Sequence, residues 1–277
     1  MRIDAHQHFW RYNPTDYAWM SNSMDILRRD HLPTDLQPLL QSIGFDGTIA
    51  VQARRLERET HWLLELAAAH PFIHGVVGWL DFASPQLDAS LERYAAHPKL
   101  RGLREIIHDM PDVDYATSTV HTSAIAKLAR RNLTYDLLLK PTHIPAAIRL
   151  VDQFPNQPFV VDHIAKPNIA AGEREPWLSG FLELANRDNV HCKLSGMVTE
   201  AAWNQWTPAT FAPYLHATIE AFGPQRLMIG SDWPVCTLSG SYEATMQIVI
   251  EFANSLAPTE RDAILGGNAA RFYGVAK

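Results

Sequence analysis

Short apolar runs bounded by turn residues recur eight times along the chain. They predict β-strands over residues 2–8, 47–53, 73–80, 100–107, 133–139, 158–164, 189–195 and 226–232. Their starts lie roughly 25 to 45 residues apart, which is the spacing of parallel strands joined by crossover helices. Most of the runs are almost continuously apolar, as expected of strands that are covered on both faces.

The segments between these runs carry apolar residues at helical spacing. One stripe, for example, extends from Leu36 to Ile43, and the pattern stops at Gly44. Eight strand–helix alternations in 277 residues predict an α/β fold, a single (β/α)₈ TIM barrel that forms one domain over residues 1–277. The alternative is an open doubly wound sheet, which usually has a glycine-rich phosphate-binding turn after its first strand. This chain has no such turn there.

Residues 9–32, which follow the first predicted strand, form a segment rich in asparagine, proline and aspartate that also contains several aromatic side chains. In a TIM barrel the loops after the strands form the active-site face. We therefore expect this segment to lie over the active site. A surface loop held in place by aromatic anchors is the alternative.

Composition and charge limit the class of partner. Apolar residues make up 47% of the chain and charged residues 19%, which is typical of a globular enzyme. The formal net charge is −6 and no basic run occurs, so we expect no nucleic-acid partner. No run is long enough to span a bilayer and no signal-peptide core is present, so we expect no membrane partner and a cytoplasmic location. Cys192 and Cys236 are too few for a disulfide framework.

Side chains that bind metals or transfer protons lie at the carboxyl ends of three predicted strands. The first strand ends with His6 and His8, and strand alternation points both to the same face. The sixth strand ends in VDHIAKP with His163, and the eighth ends in IGSDWPV with Asp232. Because these strand ends meet at one face of a barrel, the pattern predicts a site for metal binding or proton transfer. Buried histidines with ordinary hydrogen-bond partners are the alternative.

The motifs RIDAHQHFW, VDHIAKP and IGSDWPV, in this order and at these strand ends, resemble those of the amidohydrolase superfamily. The resemblance covers the whole chain and is strongest to the sugar-lactonase branch, which includes L-fuconolactone and L-rhamnonolactone hydrolases and pyrone-dicarboxylate lactonase. It implies that His6, His8 and Asp232 hold one divalent metal, with zinc as the expected ion, although some members of the branch work without metal. It further implies that His163 contacts the substrate carbonyl or the attacking water and that Asp232 is the general base.

The fifth predicted strand departs from many metal-dependent members of the superfamily, which place a histidine or a modified lysine at its end. This chain has YDLLLKP there, with Asp136 in the middle of the strand and Lys140 just after it. A binuclear site is therefore not expected, and at most one metal ion is predicted.

Four further residues near the strand ends are candidates for binding. On the fourth strand, Arg104 is predicted to hold a substrate oxygen and Glu105 to be an additional metal ligand, although alternation places the two on opposite faces. Arg54, after the second strand, and Trp233, directly after Asp232, are predicted to contact the substrate. For Arg104 and Glu105 the alternative is pairing with a neighbouring barrel layer or helix. For Arg54 it is a solvated loop, and for Trp233 it is core packing.

Other polar residues near the predicted site are expected to have structural roles. Asp162 precedes His163, and alternation turns it away from the site. Ser195 and Gly196, at the end of the seventh strand, are predicted to form a turn, and no Gly-x-Ser-x-Gly motif supports a serine nucleophile. Most of nine further histidines are expected at the surface or in helix caps. They are His31, His61, His70, His74, His97, His121, His143, His191 and His216.

The function implied by the resemblance is hydrolysis of a sugar-acid lactone, such as L-fucono-1,5-lactone, by an activated water. The first alternative is metal-dependent decarboxylation of an aromatic or dienoic acid, which we expect to need a histidine on the fifth strand. The second is a barrel that only binds a sugar acid, which has no need of a general base. The sequence predicts neither the stereochemistry of the sugar nor the oligomeric state.

Overall fold

Eight parallel strands form the centre of the computed structural model, which describes residues 1–275. The strands pair in the order in which they occur in the chain. They are β1 Ile3–Gln7, β2 Gly47–Val51, β3 Ile73–Gly78, β4 Leu100–Glu105, β5 Thr134–Leu137, β6 Phe159–Val161, β7 Val190–Leu194 and β8 Leu227–Ile229. Each of these strands lies within one of the runs predicted from the sequence.

Contacts between the first and last strands close the sheet into a barrel. The backbone N–H of His8 donates to the carbonyl of Trp233 (2.7 Å), and the N–H of Asp232 donates to the carbonyl of His6 (2.8 Å). Gln7 also forms a parallel bridge with Trp233. The TIM-barrel prediction is confirmed, and closure brings the carboxyl ends of β1 and β8 side by side.

Helices surround the barrel and follow the strands in alternation. They are α1 Pro33–Ser42, α2 Glu57–Ala69, α3 Leu87–Ala95, α4 Thr119–Ala129, α5 Ile144–Gln153, α6 Trp177–Ala185, α7 Met197–Glu200, α8 Pro208–Phe222, α9 Tyr242–Asn254, α10 Pro258–Asp262 and α11 Asn268–Phe272. The main apolar core lies between strands and helices. A smaller cluster inside the barrel includes Ile49, Val77 and Tyr273. Within residues 1–275, none of the helices combines the length and the apolar character that crossing a membrane requires.

The 9–32 loop is held together by the buried indole of Trp10. Its Nε1 atom donates to the carbonyl oxygens of Arg29 (2.9 Å) and Leu27 (3.2 Å). The backbone of Trp10 also pairs with that of His31 in a short antiparallel bridge. One side chain therefore joins the beginning of the loop to its end.

Two of the nine histidines, His31 and His121, are buried and do not cap a helix. His143 is also buried, but its Nδ1 lies 3.3 Å from the backbone nitrogen of Lys140, so it is a capping residue. His121 contacts polar partners through both ring nitrogens, with Nδ1 2.7 Å from the carbonyl oxygen of Ala116 and Nε2 2.7 Å from the hydroxyl of Tyr135. The burial of His121 therefore depends on tertiary contacts, which the apolar pattern of its own helix does not show.

We expect the substitution Trp10→Phe to loosen the 9–32 loop. Phenylalanine keeps an aromatic ring in the core, but it removes the N–H that bonds the two carbonyl groups. A buried hydrogen bond of this kind contributes roughly 1 kcal/mol, and leaving its partner unpaired costs about 1–3 kcal/mol. The measurement is the rate of trypsin cleavage after Arg28 and Arg29, which should rise in the variant.

Trp19→Phe is the matched control, because Trp19 lies in the same loop with a side chain that is 47% exposed. This variant should be cleaved at the rate of the unmodified protein. Equal cleavage of the Trp10 and Trp19 variants would contradict the anchoring role of Trp10.

Candidate active site

Three imidazoles and one carboxylate meet at the carboxyl ends of β1, β6 and β8. His8 Nε2 lies 3.3 Å from His6 Nε2 and 3.2 Å from Asp232 Oδ1. His163 Nε2 lies 3.9 Å from the same carboxylate oxygen. The structure thus brings together the four side chains that the sequence motifs placed at one site, and we call them the His–Asp cluster.

A β-bulge in β1 helps to turn His6 into the barrel. Between Asp4 and Gln7 the strand has one residue more than the paired segment of β2, and a bulge of this kind redirects the side chains that follow it. Before the bulge, Asp4 accepts a hydrogen bond from the Ser231 hydroxyl (2.6 Å). Within the bulge, His6 Nδ1 lies 3.2 Å from Asp162 Oδ1, just after the carboxyl end of β6.

A left-handed turn presents His163 to the cluster. Residues 163–166 have φ values of 55°, 47°, 59° and 53°. Each L-residue in this region costs roughly 1–2 kcal/mol relative to the right-handed conformation, and such strain concentrates at functional sites. The turn is fixed in part by Trp177, whose indole N–H donates to the carbonyl of Ile164 (2.7 Å).

The prediction that Asp162 points away from the site is wrong. Its carboxylate lies 3.2 Å from His6 Nδ1, 2.9 Å from Arg104 Nη1 and 2.9 Å from Lys193 Nζ. Regular alternation fails because the left-handed turn begins at the next residue and sends His163 to the same side. Burial would raise the pKa of Asp162, but Lys193, His6 and Arg104 hold that pKa well below its ordinary value.

Lys193, the fourth of the five residues of β7, contacts the His–Asp cluster through His6. Its buried ammonium lies 2.5 Å from Asp136 Oδ2, 2.9 Å from Asp162 Oδ1 and 3.1 Å from His6 Nδ1. Asp136 also accepts a hydrogen bond from the Tyr273 hydroxyl (2.9 Å). Sequence analysis missed Lys193, although a lysine within the apolar run VHCKLS was an available indication.

A cavity of about 280 Å³ opens beside the His–Asp cluster. His8, His163 and Asp232 line it from the barrel, and Trp10 and Trp19 line it from the 9–32 loop. A larger cleft of about 740 Å³ lies near the amino terminus and is lined by none of the cluster residues. The smaller cavity is therefore the candidate substrate pocket, and two side chains of the 9–32 loop line it.

Arg104 and Glu105 point in opposite directions, as alternation predicts. Arg104 lines the pocket, although its guanidinium is only 3% exposed and bonds Asp162. Glu105 accepts hydrogen bonds from Arg55 Nε (2.7 Å) and from the indole N–H of Trp79 (2.9 Å). The structure does not bring Glu105 to the His–Asp cluster. Its proposed role as a metal ligand is corrected, since both carboxylate oxygens are bonded on the other face of β4.

Arg54 and Trp233 are not among the residues that line the substrate pocket. The Arg54 guanidinium lies 2.5 Å from Asp16 Oδ2 and 3.2 Å from Glu59 Oε1. It therefore fastens the 9–32 loop to α2. Trp233 is 3% exposed and packs edge-on against Phe9, with ring centroids 6.1 Å apart. The predicted substrate contacts of both residues are therefore replaced. Arg54 forms ion pairs that anchor the loop, and Trp233 forms a packing contact.

The ligand atoms of His6, His8 and Asp232 are spaced as one metal ion requires. Bonds of 2.0–2.1 Å in tetrahedral geometry separate ligand atoms by roughly 3.3 Å. The observed separations are 3.3 Å, 3.2 Å and 3.8 Å. His8 Nδ1 donates to the carbonyl of Val51 (2.8 Å), which leaves the lone pair of Nε2 free for a ligand. These three side chains form a candidate metal site.

Comparison with known proteins identifies the family. The amidohydrolase family model matches residues 3–275. This chain belongs to the amidohydrolase family. The resemblance inferred from three short motifs is therefore confirmed.

Relatives of this amidohydrolase match it over nearly its whole length. An L-fucono-1,5-lactonase of Burkholderia multivorans is 40% identical over 284 residues, covering 99% of this chain and 96% of that protein. An L-fucono-1,5-lactonase of Burkholderia ambifaria is 39% identical over 276 residues, covering 98% and 95%. A crystal structure of an amidohydrolase from Burkholderia multivorans with bound zinc has a TM-score of 0.94, 40% identity and complete coverage of both chains.

The protonation states in this amidohydrolase suit both metal binding and proton transfer. Burial lowers the pKa values of His6 and His163 well below the ordinary range, so both rings are neutral at pH 7. Burial alone would raise the pKa of Asp232, but His163 and His8 outweigh it and lower that pKa. Asp232 is therefore an ionised carboxylate beside neutral imidazoles, and it can accept a proton.

Ser195 and Gly196 hold the imidazole of His163 in place. Ser195 Oγ lies 2.9 Å from His163 Nδ1. Ser195 is 2% exposed and is not among the residues that line the substrate pocket. Gly196 has φ +64°, and a Cβ atom there would lie 2.4 Å from His163 Nδ1. Sequence analysis assigned this pair to a turn and missed its contact with His163.

We expect Gly196→Ala to displace the His163 ring and to lower turnover by at least tenfold. The added methyl group overlaps the ring, and the backbone is in the left-handed region, which alone costs roughly 1 kcal/mol for alanine. Activity and urea denaturation are the measurements.

Gly172→Ala separates these two effects. Gly172 has φ +67° and nothing within 4 Å of an added Cβ atom, so this variant carries the backbone cost alone. Its free energy of unfolding should fall by the backbone contribution alone, and its activity should stay unchanged. Full activity in Gly196→Ala would show that the close approach to His163 does not matter.

Proposed function

We propose that this amidohydrolase hydrolyses the lactone of a sugar acid, such as L-fucono-1,5-lactone, to the free acid. The observation that carries the proposal is an ionised Asp232 beside the neutral imidazole of His163 at a small pocket. A carboxylate that can accept a proton and an imidazole that can form a hydrogen bond are the groups that hydrolysis of an ester by water needs. The two L-fucono-1,5-lactonases, at 39% and 40% identity over nearly the whole chain, support the substrate class.

Asp232 acts as the general base in the proposed reaction. Its carboxylate takes a proton from water as the water oxygen bonds to the lactone carbonyl carbon. The ring C–O bond then breaks, and Asp232 returns the proton to the leaving alkoxide. The product carries a new carboxyl group and a new hydroxyl group, and Asp232 is regenerated.

His163 contacts the lactone carbonyl or the attacking water. When the Ser195 hydroxyl donates to Nδ1, the hydrogen of the neutral ring lies on Nε2, which is directed toward the Asp232 side of the cluster. A preorganised donor to a developing oxyanion contributes roughly 3 kcal/mol. Ser195 is thus a positioning residue for His163.

We further propose zinc as the metal ion, held by His6, His8 and Asp232. Three protein ligands with one open position are typical of catalytic zinc sites. When bound, zinc supplies Lewis-acid polarisation of the lactone carbonyl. The zinc in the Burkholderia multivorans structure supports this choice of ion.

The pocket lining also suits a small sugar lactone. Ile106 and Leu138 form apolar wall, whereas His108 and Lys166 offer polar contacts for hydroxyl groups. Trp19 adds a partly exposed aromatic face at the edge of the pocket. Such a mixed lining, with few polar groups on an apolar wall, is typical of small-molecule sites.

We expect the purified protein to open at least one member of a panel of aldonolactones faster than buffer does. Acid release, followed with a pH indicator, measures the reaction. Asp232→Asn should lower turnover by a hundredfold or more, since general-base catalysis contributes about 10²–10⁴-fold. Asp88→Asn is the matched control, because Asp88 is an exposed carboxylate paired with Lys127 on the outside of the barrel.

Three outcomes would contradict the proposal. Unchanged activity in Asp232→Asn would remove that residue from the mechanism. Release of carbon dioxide from a carboxylated aromatic acid, with no lactone opened, would indicate a decarboxylase. Binding of a sugar acid without turnover of any lactone would indicate a binding protein.

A further inference from the structure

Each ring nitrogen of His6 has a cationic side chain beside it. Lys193 Nζ lies 3.1 Å from Nδ1, and Arg104 Nη1 lies 3.3 Å from Nε2. His6 and Lys193 are 0% exposed and Arg104 is 3% exposed. Little water therefore reaches these groups to screen their charges.

The guanidinium of Arg104 is fixed in this position. Nη1 donates to Asp162 Oδ2 (2.9 Å), and Nη2 donates to the carbonyl of Gln52. The Gln52 side chain in turn donates to the carbonyl of Arg104 (3.3 Å). These bonds hold Nη1 against His6 from the side on which the other metal-binding atoms lie.

The lone pair of His6 Nε2 cannot serve both Arg104 and a metal ion. When the hydrogen of the neutral ring is on Nδ1, where Asp162 Oδ1 is the available acceptor at 3.2 Å, Nε2 can accept the N–H of Arg104 or bind a metal, but not both. In the other tautomer Nδ1 accepts from Lys193, and Nε2 carries the hydrogen. Neither arrangement leaves Nε2 free.

Arg104, rather than Lys193, is the cation that faces the metal site. The Lys193 ammonium is paired with Asp136 and Asp162 and lies on the Nδ1 side of His6. Arg104 lies on the Nε2 side, which is the side of His8 and Asp232. A divalent ion bound there would be close to a fixed positive charge in a buried site, where like charges repel strongly.

We propose that Arg104 is a built-in competitor of the metal ion, and that its guanidinium lowers the affinity of His6, His8 and Asp232 for divalent cations. The inference rests on the metal site proposed above, and it is independent of which lactone the enzyme opens. It gives Arg104 a second role besides pairing with Asp162. It also means that the positive charge next to His6 is present whether or not a metal is bound.

The test compares the affinities of chelator-treated wild-type protein and of Arg104→Gln for zinc and cobalt(II), by calorimetry and by the visible absorption of bound cobalt. Glutamine removes the charge and keeps a polar side chain near Asp162. We expect Arg104→Gln to bind both ions at least tenfold more tightly. Arg104→Lys, which keeps the charge, should stay closer to the wild-type affinity than to that of Arg104→Gln.

Arg55→Gln is the matched control for loss of an arginine. Arg55 pairs with Glu105 on the other face of β4, so its removal should leave the metal affinity within about twofold. Folding of every variant is checked by circular dichroism and thermal melting. A folded Arg104→Gln whose metal affinity is unchanged or weaker would overturn the inference.

A measurement on the wild-type protein covers the case in which Arg104→Gln does not fold. With ¹⁵N-labelled arginine and histidine, zinc addition should shift the resonances of both His6 and Arg104. A response of His6 without any response of Arg104 would overturn the inference. Lactone turnover is assayed separately, so failure of the lactonase proposal and failure of this one give different results.

Discussion

The pairing of buried charges around Asp162 is the interaction on which the active site depends. Asp162 lies 2.9 Å from both Lys193 and Arg104 and 3.2 Å from His6. With Asp136, two carboxylates balance two cations inside the barrel. An unpaired buried charge is strongly destabilising, so these groups form a unit in which each requires the others. The position of His6 follows from that unit.

Strained backbone conformations determine the directions of the His163 and Asp232 side chains. The left-handed turn at residues 163–166 begins two residues after β6, and Asp232, with a φ of 57°, lies three residues after β8. A regular strand end would send adjacent side chains to opposite faces, whereas these conformations direct His163 and Asp232 to one cavity. The hydrogen-bonded barrel holds them, and contacts from Trp177 and Gly196 keep the turn in place. The rigid fold thus maintains an arrangement that the local chain disfavours.

The 9–32 loop shows how far residue type alone identifies a role. The sequence predicts that this loop lies over the active site, because loops after barrel strands form the active-site face. The sequence did not predict which aromatic side chains reach the pocket. Trp10 and Trp19 line it, whereas Trp233 packs in the core and Arg54 anchors the loop. These assignments depend on contacts between segments that are distant in sequence.

The sequence by itself determined the barrel and the four members of the His–Asp cluster. Apolar periodicity is a local property, and the parallel topology carries the carboxyl ends of all strands to one face. Only the tertiary structure decided the roles of Asp162, Lys193 and Glu105. The direction of a side chain depends on bulges, left-handed turns and charge partners from other strands, and regular alternation contains none of these.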